Sequence, residues 1–537
     1  MSTEKRQEPH RLPPKPTING LKVEKPNLII FMPDQLRYDS LGCTGNKVVK
    51  TPNIDAFAKR GTLFSNCWVQ ATVCAQSRCS MFTGNYPHVS GHRSLENLIK
   101  PWEPNLFRSL REEGGYHVAC LAPRGDTFAP TVTELSVDEY GFLETPEFVP
   151  KFGGGGGGSG SDDVQDKDSI WKRLFYKGLR NPNEAMDYDD AVVRSALKWL
   201  ERPPADKPWV LFMPLIFPHC PFQVEEPYFS MYKREDMPLP TKPEDRTGYE
   251  PRYMEQIRAQ YGTGRATPEI WAEVTATYYG MITRLDDQFG RILRKTEEAG
   301  LWDRTVTLFF TDHGEYLGDH GLIEKWPSGL SEPLAREPLI VAGGGLPAGD
   351  DDGDGAAYDE MAEMVDLVPT LFELCGIGEH FPHCGKSLVP ALLAAGGGGG
   401  TMVVPHKKYA FTEGGFLVSE EPLLEQAPFP YDIKAALQHQ DTTLVGKAVA
   451  CRSKEWTYVY RLYEPPELYN RQSDPRELHN LAAVPEYAAV RSEMEATVLR
   501  FMVESSDFLP WQKDPRFPKV ELKSPLEQWN ERPPRPS

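Results

Sequence analysis

Short runs of apolar residues alternate along the chain with longer segments of helical periodicity. Runs with the length of a strand buried on both faces occupy 27–31, 209–214, 305–310 and 338–342. Between them, apolar side chains at steps of three and four predict a long helix over 271–299, ended by Gly300. Because such strands alternate with helices, we predict an α/β fold in which helices sandwich a large, mainly parallel sheet.

The last quarter of the chain has a different pattern. A strand-like run at 456–462 and a helical pattern over about 485–504 predict a smaller C-terminal α+β domain. The predicted parts are a polar N-terminal tail, a large α/β domain, the smaller domain and a proline-rich C-terminal tail, at 1–25, 26–395, 402–505 and 506–537. Glycine-rich segments, expected to be surface loops or insertions, occupy 153–161, 343–355 and 396–400.

Charge and composition narrow the classes of partner. The formal net charge of -18 argues against nucleic acid or an anionic membrane as a partner. The N-terminus lacks the apolar core of a signal peptide, and the longest apolar stretch, 209–217, is far shorter than the roughly 20 residues of a membrane span. The nine cysteines include no C-x-x-C pair, so neither a disulfide framework nor a zinc knuckle is expected. We therefore expect a reduced, cytoplasmic protein.

Polar side chains follow two of the predicted strands directly. Asp34-Gln35 comes after the first strand, and Asp312-His313-Gly314 comes after the strand at 305–310. Carboxylate, amide and imidazole groups are ligands for divalent cations, although Asp and Gln at a strand end are more often turn formers. Because ligands of parallel sheets bind beyond the carboxyl ends of the strands, we expect both segments to contribute to one site.

A cysteine followed by an arginine forms the third cluster. In the segment Cys74-Ala75-Gln76-Ser77-Arg78, the arginine lies one helical turn after the cysteine. A helix N-terminus and a guanidinium both stabilise an anion at position 74. A lone cysteine is more often a small buried apolar residue, and only its neighbours favour a nucleophile here.

Together, these clusters resemble the sulfatases and phosphonate monoester hydrolases of the alkaline phosphatase superfamily. The principal motifs are Asp34-Gln35, Cys74-x-x-Ser77-Arg78 with Thr83-Gly84, Pro218-His219, Asp312-His313-Gly314 and Lys325. Supporting matches are Thr51-Pro52-Asn53-Ile54-Asp55, Val365-Asp366-Leu367-Val368-Pro369-Thr370, Gly385-Lys386-Ser387-Leu388 and Glu467-Leu468-Tyr469-Asn470. They occur in family order from about residue 26 to 482, so the resemblance implies an alkaline-phosphatase-like fold with 26–395 as the catalytic domain.

The resemblance also implies a role for each matching residue. One divalent metal ion would be held by the side chains of Asp34, Gln35, Asp312 and His313. Cys74 occupies the position at which the family converts cysteine to formylglycine, the nucleophile, whose charge Arg78 would offset. Lys325 would bind a non-bridging oxygen of a small anionic ester, and His219 would protonate the leaving oxygen. Asn97 matches an asparagine that contacts the anion in the phosphonate hydrolases.

The ligand set bears on the identity of the metal. An all-oxygen set favours Ca²⁺, as in many sulfatases. The imidazole of His313 shifts the preference toward Mn²⁺, Fe²⁺ or Zn²⁺. The set is most similar to that of the phosphonate and phosphodiester hydrolases, so we expect Mn²⁺, with Ca²⁺ as the alternative.

The chain departs from the family at two places. Gln76 stands where the modification motif C-x-P-x-R or C-x-A-x-R has proline or alanine. The lysine and histidine that grip sulfate in sulfatases are also missing after Gly115-Tyr116, where Arg124 is a candidate substitute. Two alternatives therefore remain open: a divergent enzyme with an unmodified Cys74, and a binding or scaffold protein without turnover. The C-terminal tail is a candidate contact in a homo-oligomer.

Overall fold

The computed structural model describes residues 23–144, 167–181, 187–347, 356–394, 404–511 and 514–533. The glycine-rich segments at 153–161 and 396–400 lie outside these residues, as does the part 348–355 of the segment at 343–355. The predicted N-terminal tail lies outside them up to residue 22.

The strands form a large sheet, a smaller C-terminal sheet and a two-stranded pair. In chain order they are β1 (Asn27–Asp34), β2 (Gly61–Trp68), β3 (His117–Cys120), β4 (Glu139–Tyr140), β5 (Tyr176–Leu179), β6 (Trp209–Pro218), β7 (Phe222–Val224), β8 (Thr305–Phe310), β9 (Arg336–Gly343), β10 (Ala356–Tyr358), β11 (Ala362–Glu363), β12 (Ala410–Gly414), β13 (Ala448–Arg452), β14 (Trp456–Arg461) and β15 (Glu467–Asn470).

The large sheet has β1 near its centre and runs in the order β10-β2-β9-β8-β1-β6-β3-β4, with β11 also paired to β2. β1 is parallel to both of its neighbours, β6 and β8. β9 is antiparallel to β8 and to β2. The sequence does not predict this direction, because an apolar run indicates a buried strand but not which way it runs. The predicted α/β class and the mainly parallel character of the sheet are confirmed.

Helices connect the strands and surround the sheet. In chain order they are α1 (Pro52–Lys59), α2 (Cys74–Thr83), α3 (Pro87–Ser90), α4 (Leu106–Glu112), α5 (Val132–Ser136), α6 (Ile170–Arg173), α7 (Tyr188–Trp199), α8 (Arg252–Tyr261), α9 (Pro268–Glu298), α10 (Glu332–Ala335), α11 (Leu367–Leu374), α12 (Val389–Ala394), α13 (Tyr431–Gln440), α14 (Ala488–Ser505) and α15 (Pro525–Asn530).

Both faces of the large sheet are covered, as expected for strands without a polar face. On one face, Phe289 of α9 lies 4.9 Å from Phe31 of β1 and 5.2 Å from Phe309 of β8, ring centre to ring centre. On the other face, Phe82 of α2 packs against Phe212 of β6 at 5.5 Å. The long helix predicted over 271–299 is α9, and the glycine just beyond it has a φ of +67° that side chains rarely adopt.

The C-terminal sheet is antiparallel, in the order β12-β13-β14-β15, and α14 packs against it. The predicted smaller C-terminal domain is therefore present, whereas the boundaries at 395, 402 and 505 stay predictions. Residues 514–533 of the tail are exposed throughout. Within the described residues, no helix combines the length and the apolar character needed to cross a bilayer.

Candidate metal and nucleophile site

The predicted site lies at one edge of the large sheet, where three neighbouring parallel strands end. Asp34 is the last residue of β1, and its main chain pairs with Pro218 at the end of β6, directly before His219. Asp312 and His313 follow β8, which flanks β1 on the other side. Residues nearly 280 positions apart therefore meet because the parallel register brings the carboxyl ends of their strands together.

Cys74 is the first residue of the buried helix α2, whose N-terminus points its backbone N–H groups at this edge. The Sγ atom lies 3.1 Å from His313 Nε2 and 3.7 Å from Asp34 Oδ1. Ligand atoms of Asp34, Cys74, Asp312 and His313 all lie within 4.8 Å of one another, and all four side chains are buried. The sequence-predicted nucleophile thus lies beside three of the four predicted metal ligands.

Arg78 bridges the carboxylates of Asp34 and Asp312. Its Nε donates to Asp312 Oδ2 at 2.7 Å, and its Nη2 donates to Asp34 Oδ2 at 2.9 Å. Its Nη1 donates to Asp126 Oδ1 at 3.0 Å, and the guanidinium is fully buried. Because Arg78 occupies the Oδ2 atom of both ligand carboxylates, their Oδ1 atoms remain for other partners.

These Oδ1 atoms fit a divalent cation together with His313. Their distances to His313 Nε2 are 3.6 Å for Asp34 and 3.9 Å for Asp312. Two atoms that bind one cation at about 2.0–2.4 Å lie roughly 3–4 Å apart, so the spacing suits shared ligation. The ring Nδ1 lies 2.9 Å from the Gly314 carbonyl, which places its proton there and leaves a lone pair on Nε2.

Gln35 is placed differently from the other predicted ligands. Its amide oxygen accepts a hydrogen bond from Lys325 Nζ at 2.7 Å, and its amide nitrogen donates to Glu315. The oxygen has a second lone pair, which leaves it able to bind a cation. The residue also adopts a φ of +65°, and Tyr278 holds this strained backbone through a 2.8 Å hydrogen bond to the Gln35 carbonyl.

Lys325 and His219 lie next to each other, beside Gln35. Lys325 Nζ lies 3.2 Å from His219 Nε2, and its side chain is buried. His219 Nδ1 lies 2.6 Å from the Cys220 carbonyl, which directs Nε2 toward the lysine. The cation predicted to bind substrate and the predicted general acid are therefore in direct contact.

Burial and charge set the protonation of these groups. Burial raises the pKa of the Cys74 thiol, Asp34 adds to that shift, and the nearby Lys325 ammonium opposes it. Burial also lowers the pKa of His313, which favours the neutral, metal-binding imidazole. Burial alone lowers the pKa of Lys325, but the negative charges around it outweigh this and hold its pKa well above the usual value.

The two tentative substrate contacts have different environments. Arg124 Nη2 lies 2.7 Å from Asp34 Oδ2 and 2.5 Å from Asp126 Oδ2, so this arginine belongs to the site. Asn97 is exposed, and its amide donates to Ser94 Oγ at 2.6 Å. No contact links Asn97 to the site within the residues that the structure describes, and its placement does not support the predicted anion contact.

Sequence reasoning did not single out four further charged side chains. Asp126, Glu315 and Glu324 contact predicted residues, and Lys434 contacts Glu324. Glu315 and Glu324 are adjacent in sequence to the motifs around Asp312 and Lys325, and proximity alone is a weak signal. Lys434 comes from helix α13 in the C-terminal part of the chain, where no motif marks it.

Comparison with known proteins agrees with this geometry. A family model described as Sulfatase matches residues 26–377, more than half of the 537-residue chain. The chain is 29% identical to the multifunctional alkaline phosphatase superfamily protein PehA of Trinickia caryophylli over 521 residues, covering 90% of this chain and 96% of that protein. It is 28% identical to an arylsulfatase of Clostridium perfringens over 381 residues, covering 66% of this chain and 75% of the relative.

A solved structure gives the same picture of the fold. The phosphonate monoester hydrolase of Agrobacterium radiobacter superposes with a TM-score of 0.66 at 23% sequence identity. The match covers 89% of this chain and 96% of that one. At this level of identity the similarity concerns the architecture, which matches from the large sheet to the C-terminal domain.

Proposed function

The chain belongs to the sulfatase family, and from this membership and the site geometry we propose a metal-dependent hydrolase of sulfate monoesters or phosphonate or phosphate esters. The observation that carries the proposal is the approach of Asp34 Oδ1, Asp312 Oδ1 and His313 Nε2 to each other beside Cys74 Sγ. A binding protein without turnover has no need for this arrangement of ligands around a nucleophile at a helix N-terminus.

We assign the nucleophile to position 74, as formylglycine where the cysteine is modified. A hydroxyl of the hydrated aldehyde attacks sulfur or phosphorus, and the alcohol of the ester leaves with a proton from His219. Lys325 stabilises the non-bridging oxygens as charge develops on them. Arg78 offsets the negative charge at position 74 and fixes the orientation of both ligand carboxylates.

The bound ion, when present, lowers the pKa of the attacking hydroxyl and offsets the charge of the substrate. We propose that Asp34, Asp312 and His313 hold it, with Gln35 as the fourth ligand. The mixture of carboxylate, amide and imidazole ligands favours Mn²⁺, and Ca²⁺ is the alternative that metal analysis has to distinguish.

Arg124 supports a substrate anion near the place where the family's lysine and histidine are missing. Its guanidinium accompanies Arg78 on the Asp34 and Asp126 carboxylates and also donates to the Leu215 carbonyl at 2.5 Å. We propose that it acts through this network, as a fixed positive charge, because both of its Nη nitrogens already contact acceptors.

A second candidate function follows from the position of the thiol itself. An unmodified Cys74 has its Sγ among the ligand atoms of Asp34, Asp312 and His313, where a thiolate is a fourth metal ligand. Experiment must distinguish the proposed formylglycine hydrolase from such a divergent enzyme and from an inactive scaffold protein. Burial raises the pKa of the Cys74 thiol, which disfavours a free thiolate nucleophile without a metal.

The decisive experiment combines mass spectrometry with a substrate screen. In the proposed enzyme, the peptide covering 71–78 contains formylglycine at position 74, so its mass is lower than that of the same peptide with cysteine. The purified protein is assayed with aryl sulfate, phosphonate monoester and phosphodiester substrates in Mn²⁺ or Ca²⁺. Activity has to disappear in Cys74→Ala and persist in Cys79→Ala, because Cys79 lies on the same helix and directs its thiol to the Thr127 carbonyl. If Cys74→Ala retains every activity, the assignment of the nucleophile is wrong.

Metal content separates enzyme from scaffold. We expect about one equivalent of ion per chain, lost in Asp312→Ala. The proposal is contradicted if the parent protein, with the Asp312 carboxylate intact, hydrolyses no ester and binds no ion.

A further inference from the structure

Lys325 Nζ has three close partners before any substrate arrives, two in hydrogen bonds and one in an ion pair. Its Nζ lies 2.7 Å from Gln35 Oε1, 3.2 Å from His219 Nε2 and 2.7 Å from Glu324 Oε1. A substrate oxygen that approaches this ammonium therefore competes with these partners for its positive charge and its N–H groups. The strength of the pair with Glu324 therefore controls how readily Lys325 binds an anion.

Glu324 is shared between two lysines. One carboxylate oxygen contacts Lys325, and the other, Oε2, lies 2.8 Å from Lys434 Nζ. The side chains of Glu324 and Lys434 are only 1% and 6% exposed. Glu324 has a φ of +65°, a conformation that a residue with a side chain keeps only where its surroundings hold it. The surroundings thus fix this carboxylate between two buried ammonium groups.

Lys434 comes to the site on helix α13, from a part of the chain remote in sequence. The same helix places the hydroxyl of Tyr431 at 3.2 Å from Cys220 Sγ, next to His219. Burial lowers the pKa of Lys434, but Glu324 and then Glu425 raise it above the usual value, so this lysine is charged. Helix α13 therefore delivers a permanent positive charge to the wall behind Lys325.

A second metal ion does not explain this cluster. Ligand atoms of His219, Cys220 and Glu324 do lie within 4.8 Å of one another. The Glu324 carboxylate, however, already lies between two ammonium groups, and their positive charge repels a further cation.

We propose that Lys434 is a positioning residue, which shares the charge of Glu324 so that Lys325 stays available to the substrate anion. This inference rests on the proposed function of the same site. With Lys434 present, one carboxylate serves two ammonium groups and a net positive charge remains. Without Lys434, the full charge of Glu324 falls on Lys325, and the approaching anion meets a neutral pair.

The first test compares anion binding and turnover in the full-length, metal-loaded protein. We expect Lys434→Met to weaken binding of inorganic sulfate and phosphate, and to lower kcat/KM, by about 10- to 100-fold. Lys434→Arg keeps the charge and should stay within about threefold of the parent on both measures. Lys408→Met is the matched control, because Lys408 is an exposed lysine of the same C-terminal part and should change neither measure.

A double-mutant cycle separates this role from a merely structural one. In a Glu324→Gln background there is no carboxylate to share, so adding Lys434→Met should change anion affinity by less than about threefold. An equal loss in both backgrounds overturns the proposal. If Glu324→Gln does not fold, the test uses the variant Lys434→Gln in the parent background. If folded Lys434→Gln binds sulfate as tightly as the parent does, the proposal is also overturned.

The outcome stays distinct from that of the proposed function. If the parent protein hydrolyses esters and Lys434→Met has the same anion affinity and kcat/KM, only the proposed role of Lys434 is refuted. Parent protein that hydrolyses no ester refutes the proposed function, and the sulfate affinities of the variants still measure whether Lys434 supports the anion site.

Discussion

Arg78 offers the sharpest test of how the site is held together. We consider its replacement by methionine, which keeps a similar length but removes all donors. The parent guanidinium is fully buried and donates to Asp312, Asp34 and Asp126 at 2.7, 2.9 and 3.0 Å. A hydrogen bond to a charged group contributes about 1.5–3 kcal/mol, so three of them give a gross loss of roughly 4.5–9 kcal/mol.

The net loss should be smaller, since part of the charge finds another partner. Arg124 already contacts Asp34 and Asp126 and can keep both carboxylates paired. Asp312 is fully buried and loses its guanidinium partner. Breaking a buried ion pair from one side costs about 3–5 kcal/mol, and we expect Arg78→Met to lose that amount of unfolding free energy in a chelator. The cost should fall with saturating metal, because the ion then supplies positive charge to the same carboxylates.

Urea denaturation in EDTA and in saturating Mn²⁺ measures both quantities. Arg108→Met is the matched control: that arginine is partly exposed and pairs with Glu112 one helical turn later, so its loss should cost less than about 1 kcal/mol. A loss below about 1 kcal/mol for Arg78→Met in EDTA, or the same loss with and without metal, would refute the electrostatic account of the site.

Three further predictions follow from the structure. Burial, with Asp187 next, raises the pKa of Asp189 to about 7, above its ordinary value of 3.8. The stabilising contribution of its protonated form is therefore complete below pH 4 and lost as the pH rises through 7, and Asp189→Asn should lack this component in melting curves recorded from pH 4 to 9. Chelation should lower the melting temperature of the parent but leave Asp312→Ala unchanged, as differential scanning fluorimetry can show; an equal shift in both contradicts the ligand assignment. If the exposed tail, with Phe517 97% accessible, joins subunits, deleting 506–537 should lower the number of chains per particle measured by light scattering; an unchanged number contradicts that role.

The sequence predicted the centre of the fold well because local signals and the site coincide there. The apolar runs before Asp34 and Asp312 identify β1 and β8, and parallel packing then forces the polar residues after them to one edge. The antiparallel direction of β9 could not be predicted in this way. Direction depends on which neighbours pair with the strand, and the run at 338–342 has the same composition in either direction.

The limits of prediction within the site have a similar cause. Cys74 and Arg78 lie one helical turn apart on the same helix, so the sequence alone predicts that their side chains are close. Lys434 reaches Glu324 across 110 positions of the sequence, through the packing of a C-terminal helix that carries no motif. Asn97 is the converse case: its position in sequence order matches the family, but its amide donates to Ser94 Oγ, and its contact with the anion stays a prediction.

The charge of the site reconciles an anionic substrate with a protein of net charge -18. The side chains paired around the nucleophile comprise four cations and four carboxylates, namely Arg78, Arg124, Lys325 and Lys434 with Asp34, Asp126, Asp312 and Glu324. These eight groups cancel, and burial raises the pKa of the neighbouring Glu315, so the side chains pre-organise the site without making it attractive to an anion at long range. In the proposed enzyme, the two charges of a divalent ion would create a net positive potential for an anionic ester at the point where the ligand atoms meet. The Oδ2 atoms of Asp34 and Asp312 bind the Arg78 guanidinium, and their Oδ1 atoms would bind the proposed ion, so attraction of an anionic substrate and assembly of the metal site would depend on the same two side chains.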